Sequence, residues 1–327
     1  MSIQRRNSVF PVVLPLWLRA LIVSGRPVAR RVAAYARCTC LALNFRRLTI
    51  GILIVATLSG CSAVRVTYLQ LDWLIANRIE SYVHLNPEQR SVANQHIDAL
   101  LAWHCRTQLR DYARWLRRVS VDFNNGLTPA QLDERIAVFE DAWQDLMHQV
   151  IPGAVDVFSS MRDDQLSEFF TRIESKNRAY RKKYLEPPES EWRRANKEWM
   201  QKVLRRWLGK PTEEQRRAVA VWADAIVPLR EVGWASRMRW QHAFRSLLER
   251  RHDRQALVGG LASLLIDWEH YQDEASRRIY AHNRDLLSGL LISASRTTTP
   301  AQQRHFASRV ERYAKDFDAL ACKKGKQ

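Results

Sequence analysis

Histidine, cysteine and paired carboxylates have the widest chemical range of the side chains in this 327-residue sequence, and their spacing points away from catalysis. The nine histidines stand at 84, 96, 104, 148, 242, 252, 270, 282 and 305. None opens a His-Glu-x-x-His phrase, which would set two imidazoles and a general base on one helix face. Asp267, His270 and Glu274 can share a face, but carboxylate metal pairs in helix bundles also need Glu-x-x-His turns from a second helix, and there are none. No metal and no cofactor is expected. Gly-x-Ser-x-Gly, the phosphate-cradling P-loop and the Gly-rich dinucleotide fingerprint are absent too. Asp163-Asp164 reads as a helix start, where negative charge meets the positive end of the helix dipole.

Charge says more. The chain has 52 Lys and Arg against 34 Asp and Glu, a net +18. Its first 60 residues hold nine Arg and no Asp, Glu or Lys, so half of that excess, +9, lies beyond position 60. Residues 127–175 carry ten acidic and three basic groups, whereas 176–217 carry 14 basic and six acidic. Within the basic stretch Trp192, Trp199 and Trp207 recur at seven and eight residues, so they share a helix face. Arg193, Arg194, Lys197, Arg205 and Arg206 flank them. Two readings stand. Either these five cations rim a docking surface for an anionic partner, or the Trp stripe is core and the cations neutralise the acidic helices of 127–175.

The elements that carry these groups read as helices. Only 11 Gly and 11 Pro with 46% hydrophobic residues exclude collagen-like and disordered classes, and five Cys are too few for a disulfide scaffold. Leu132, Ile136, Phe139, Trp143, Leu146 and Val150 step by four and three, as do Phe306, Val310, Tyr313, Phe317 and Leu320. Alternating β-branched runs and Asn-Gly turns are missing. A phrase recurs at helix starts: Asn86-Pro87-Glu88-Gln89, Thr128-Pro129-Ala130-Gln131, Thr212-Glu213-Glu214-Gln215 and Thr299-Pro300-Ala301-Gln302, with Arg162-Asp163-Asp164-Gln165 a degenerate copy. Each good copy supplies a capping oxygen and a Gln that reaches back, the capping-box chemistry. Its irregular spacing argues against a solenoid. The fold expected is all-α, an irregular bundle of about eight or nine helices with no sheet. The helices are placed near 67–83, 87–121, 129–150, 163–184, 188–208, 213–250 (bent at Pro228), 253–266, 268–294 and 300–320.

Arg46-Arg47, an apolar run from Leu48 to Leu58, and then Leu58-Ser59-Gly60-Cys61 follow one another in the order of a cleaved export signal. Leu-Ser-Gly-Cys resembles the bacterial lipobox. The resemblance implies a diacylglycerol on the Cys61 thiol, cleavage between Gly60 and Cys61, and acylation of the new N-terminus; Ser62 implies sorting to the outer membrane. Residues 1–60 are then a signal peptide with an extension upstream of the true start, and 61–327 form the helical lipoprotein domain, facing the periplasm. Membrane lipid is the partner implied by Cys61. An acidic envelope protein or anionic surface fits the compartment as a further partner, and nucleic acid does not. Two thiols then remain in an oxidising space, Cys105 and Cys322, either bonded to each other or independent.

With Tyr68, Leu71, Asp72 and Trp73 after the lipobox, the Leu-x-Pro-x-Gln phrase, and Tyr313, Asp316 and Phe317 near the end, the chain resembles an uncharacterised family of proteobacterial lipoproteins. The helix-start phrase is also similar to the Leu-Thr-x-x-Gln motif of small periplasmic helical chaperones. These likenesses imply a non-enzymatic, binding or chaperone-like envelope lipoprotein. The alternative is an envelope enzyme acting on lipid or cell-wall material.

Overall fold

The computed structural model describes residues 63–322. Among these there is no strand, and the helices number twelve rather than eight or nine. They are α1 (Ala63–Tyr68), α2 (Leu71–Glu80), α3 (Pro87–Thr107), α4 (Leu109–Asn124), α5 (Pro129–Ser159) and α6 (Asp163–Tyr184). Then come α7 (Glu189–Leu208), α8 (Glu213–Ala225), α9 (Arg230–Glu249), α10 (Arg254–Leu265), α11 (Glu274–Arg296) and α12 (Pro300–Leu320), with a 3-10 turn at Trp268–Tyr271. α1 belongs to a unit separate from the one that begins at Leu71. The proposed signal peptide, 1–60, lies outside the described residues, as does Cys61.

Two of the additional breaks trace to particular residues. The long helix expected over 87–121 is offset at Gln108, although the bonds from Gln108 N to His104 O and from Tyr112 N to Gln108 O, both 3.0 Å, carry the rod through. The helix expected over 213–250 is cut rather than bent. Ile226 is extended (φ −62°, ψ 140°) and Val227 precedes Pro228, whose ring disfavours helical dihedrals there. The freed backbone of Val227 is taken up by Asn283, which accepts from its N–H at 2.8 Å and donates to its carbonyl at 2.7 Å. Conversely, α5 runs on through Pro152 to Ser159.

Two large apolar clusters hold the unit that begins at Leu71. One joins Met200, Leu204 and Leu208 of α7, Val219 and Trp222 of α8, Leu290 of α11, and Phe306 and Val310 of α12. The other joins Ile151 and Val155 of α5, Phe170 of α6, Phe244, Leu247 and Leu248 of α9, and Leu257, Leu261 and Leu264 of α10. α4 and α12 pack antiparallel. Tyr112 meets Phe317 with ring centres 6.0 Å apart, Phe123 meets Phe306 at 4.4 Å, and Arg117 binds both Glu311 and Asp318. The stripe from Leu132 to Val150 is only half-buried, and the first fully buried residue of α5 is Met147.

The recurring phrase turns out to be a paired device. Gln89 and Gln165 are buried against one another and exchange amide hydrogen bonds, Gln89 donating at 3.0 Å and Gln165 at 2.7 Å. Gln215 and Gln302 do the same at 3.1 and 2.9 Å. Each Gln also accepts from the N–H of its own helix's N-cap residue, at 3.0 or 3.1 Å, and donates to a backbone carbonyl of its partner's approach segment: Ser160, His84, Thr297 and Lys210 respectively. In all four cases that carbonyl lies two residues before the partner helix's N-cap. The partners are 76 and 87 residues apart; Gln215 and Gln302 belong to consecutive phrases, whereas Gln131 lies between Gln89 and Gln165 in the sequence. Gln131, the unpaired copy, caps α5 and reaches only Asp122.

Candidate functional site

The five cations singled out on α7 do not form one free surface. Arg193 binds Glu189 and donates to the carbonyls of Ala223, Asp224 and Ile226, so its guanidinium closes the carboxyl end of α8. Arg206 lies 3.4 Å from the Tyr313 hydroxyl. Arg194 and Arg205 are exposed and Lys197 is half-buried. Trp192, Trp199 and Trp207 pack against the first apolar cluster. α7 packs mainly on α8 and α12, and among the described residues none of the five cations forms an ion pair with a carboxylate of 127–175. The Trp stripe is core-facing, and part of the basic rim is structural.

A denser run of positive charge sits one helix earlier. Between Lys176 and Lys183 there are five cations and no carboxylate: Lys176, Arg178, Arg181, Lys182 and Lys183. They fill the carboxyl end of α6, where positive charge also suits the helix dipole. Arg178, Arg181, Lys182 and Lys183 are exposed, and among the described residues none has a carboxylate oxygen within 4.0 Å. Aromatic rings interleave them. Tyr180 stacks on Trp234 of α9 with ring centres 6.0 Å apart and meets Tyr184 at 4.8 Å. Arg237 lies over Tyr180 at 5.0 Å, Lys183 over Tyr184 at 5.0 Å and Arg181 over Trp234 at 5.7 Å. The face is fixed from below. Buried Asn177 accepts from Arg237 Nε at 3.0 Å and exchanges bonds with Gln241, locking α6 to α9.

Earlier on the same helix, Lys176 sits over the Tyr82 ring at 4.4 Å. Burial, then the neighbouring charges of Arg78 and Arg172, hold its ammonium below the ordinary lysine value. Rings carrying a negative face among exposed guanidinium and ammonium groups suit an extended anionic partner, because each cation is oriented while its charge stays available. The sequence signal was the acid-free run 176–183 with tyrosines four apart. Trp234 is contributed from 50 positions on and carries no local cue.

Other groupings are weaker. Arg106, Arg110 and Arg114 line a shallow cleft of about 330 Å³ with Thr107 and Asp111, where Arg114 pairs with Asp111. His96 Nε2 lies 2.7 Å from Asp156, which also binds Arg254 at 2.6 Å. Burial works to raise the Asp156 carboxyl, but the bonds from Arg254 and His96 outweigh it and hold it below its ordinary value. Among the described residues no serine, threonine or cysteine side chain bonds His96, so the pair has no nucleophile to activate. No group of three His, Cys, Asp or Glu converges to hold a metal ion among the described residues. Cys105 and Cys322 are joined, with their sulfurs 1.95 Å apart, and Cys322 N donates to Cys105 O at 3.0 Å. Among the described residues no helix is long and apolar enough to cross a membrane.

The profile of a family of unknown function, DUF6279, matches residues 81–277, a span that includes α3 to α10 and all of the α6–α9 face. No curated protein and no solved structure matches the chain.

Proposed function

The chain belongs to the DUF6279 family of unknown function, and from that premise we propose that it is a lipid-anchored protein of the bacterial envelope that binds an anionic partner and performs no chemistry itself. The observation that carries this reading is the α6–α9 face: four exposed cations with no carboxylate partner among the described residues, held among Tyr180, Tyr184 and Trp234. The anchor is Cys61, supported by the ordered basic, apolar and Leu-Ser-Gly-Cys segments. The Cys105–Cys322 bond suits an oxidising compartment, in keeping with a periplasm-facing protein at the outer membrane. In that setting the anion is an acidic polysaccharide or the acidic surface of an envelope protein. The likeness to Leu-Thr-x-x-Gln chaperones supports a shared way of starting helices. Four of the five glutamines here are spent on clasping the fold and are not presented to a client.

The test compares equal losses of charge. The full chain is bound to dextran sulfate, with uncharged dextran as the blank, and eluted with salt. Arg178→Gln, Arg181→Gln, Lys182→Gln and Lys183→Gln together should elute at clearly lower salt than the wild type. Removing four exposed cations elsewhere, Lys202, Arg205, Arg304 and Arg312, should shift elution much less. Salt competes because exposed charges are screened over about 8–10 Å near physiological ionic strength. Equal shifts for the two variants would mean that only net charge matters and would sink the reading.

A further inference from the structure

We infer that the segment just after the anchor is an interfacial element, in which α2 lies against the bilayer that holds the Cys61 lipid, with Trp73 and Leu74 at the headgroup boundary. This rests on the reading of Cys61 as lipidated. The supporting pattern is where apolar surface is left uncovered. Nine large apolar side chains are exposed among the described residues, and four of them, Val66, Leu69, Trp73 and Leu74, fall within nine positions of one another. Leu69 is 74% exposed and Trp73 61%. α2 has no buried residue at all, although it packs along α3. A helix in contact with a folded unit normally spends its apolar side chains on that contact. Here Trp73 and Leu74 are withheld from it.

The geometry of α2 suits a membrane surface. Helical spacing sets Asn77 one turn beyond Trp73 and Arg78 one turn beyond Leu74, so the apolar pair is followed by polar and cationic groups on the same side. Arg78 is exposed and donates to the Tyr82 hydroxyl at 3.1 Å, which points a cation and a phenol to the same end. Asp72 lies about 100° round the helix from Trp73, on the side away from Leu74. An apolar pair followed by a polar and a cationic group at the next turn suits an interfacial helix, with the indole at the headgroup level and the charge among the phosphates.

Chain length names the occupant. Trp73 lies twelve positions after Cys61, so even a fully extended chain keeps the indole within about 40 Å of the anchor. Once the lipid is inserted, α2 meets the bilayer at a high effective concentration, and a weak apolar contact suffices. Val221, 69% exposed on α8, and Val258, 45% exposed on α10, have no such neighbour in the sequence and remain in water.

The test needs a single free thiol, and an introduced cysteine is the only one, because in the mature chain as read here Cys61 is acylated and Cys105 is bonded to Cys322. Leu74→Cys and, separately, Val221→Cys are made in the full chain, purified as the mature lipoprotein, labelled with a nitroxide and reconstituted in vesicles of phosphatidylethanolamine and phosphatidylglycerol. Collisions with oxygen, which concentrates in the bilayer, are compared with those of a water-soluble nickel chelate. The oxygen-to-nickel ratio at position 74 should exceed that at 221 several-fold, and Trp73→Ala should lower it. Equal ratios in protein whose mass shows the lipid on Cys61 would overturn this inference and leave the anchor standing. Shielding from both reagents that is lost on dilution would assign the face to a second copy of the chain and overturn it as well. An unmodified Cys61 in the mature protein would remove the anchor and this inference together.

Discussion

Gln215 and Gln302 offer the sharpest test of how the helix starts are held. Gln215 is 1% exposed and makes four bonds: its Oε1 accepts from Thr212 N at 3.0 Å and Gln302 Nε2 at 2.9 Å, and its Nε2 donates to Gln302 Oε1 at 3.1 Å and Thr297 O at 3.3 Å. Gln215→Ala removes half of one capping box, worth about 1 kcal/mol. It also leaves Gln302 short of one donor and one acceptor in a buried site, at about 1–3 kcal/mol for such groups. The loss should total about 2–4 kcal/mol, and Gln302→Ala should match it by symmetry of role. The double variant should fall short of the sum by about 2 kcal/mol, since the two amide bonds between the pair can be lost only once. Denaturation in guanidinium chloride, followed by far-UV circular dichroism, supplies the four corners of the cycle. Gln131→Ala combined with Gln302→Ala is the control and should be additive. Additivity within about 0.5 kcal/mol at the Gln215–Gln302 pair would refute the clasp.

Three other outcomes are expected. In Gly153→Ala the new methyl would sit 2.8 Å from His96 Cβ and Cγ, so thermal melting should show a loss of about 1–3 kcal/mol. Cys105→Ser opens a link across 217 residues and should destabilise by about 3–5 kcal/mol, with wild type in reductant showing the same loss and the variant indifferent to reductant. Burial lowers His104 from 6.5 to about 4, so between those values the unfolded chain binds a proton that the folded chain refuses. Stability should therefore be unaffected above pH 6.5 and fall as pH drops towards 4, by on the order of 1–2 kcal/mol at pH 5; His104→Gln should flatten that part of the curve.

Helical class was readable because apolar spacing and caps are local properties. The helices starting at 129, 163, 213 and 300 begin where capping chemistry places them, and α6 and α12 also end where expected. Boundaries set by distant groups were not readable. The break at Val227 depends on Asn283, 56 positions away, and the glutamine pairs depend on partners 76 and 87 away. The basic stretch was visible as composition. Which of its cations were free was decided by neighbours that the sequence does not name: Arg193 is taken by α8, whereas Arg181 and Lys183 are left to solvent beside rings. Trp spacing marks α7 in the sequence, yet those indoles are spent on packing.

Both glutamine pairs are nested on their own side of Pro187-Pro188: residues 89 and 165 precede it, and 215 and 302 follow. A protease nick in that short connection would therefore cut neither clasp, and each fragment would keep a closed clasp of its own. Cys105 and Cys322, in contrast, lie on opposite sides of the nick, so the two fragments would remain one covalent molecule until reduced. A chain with this arrangement is suited to tolerate severance, circular permutation or fragment exchange at its middle, where a bundle with interleaved pairing would come apart.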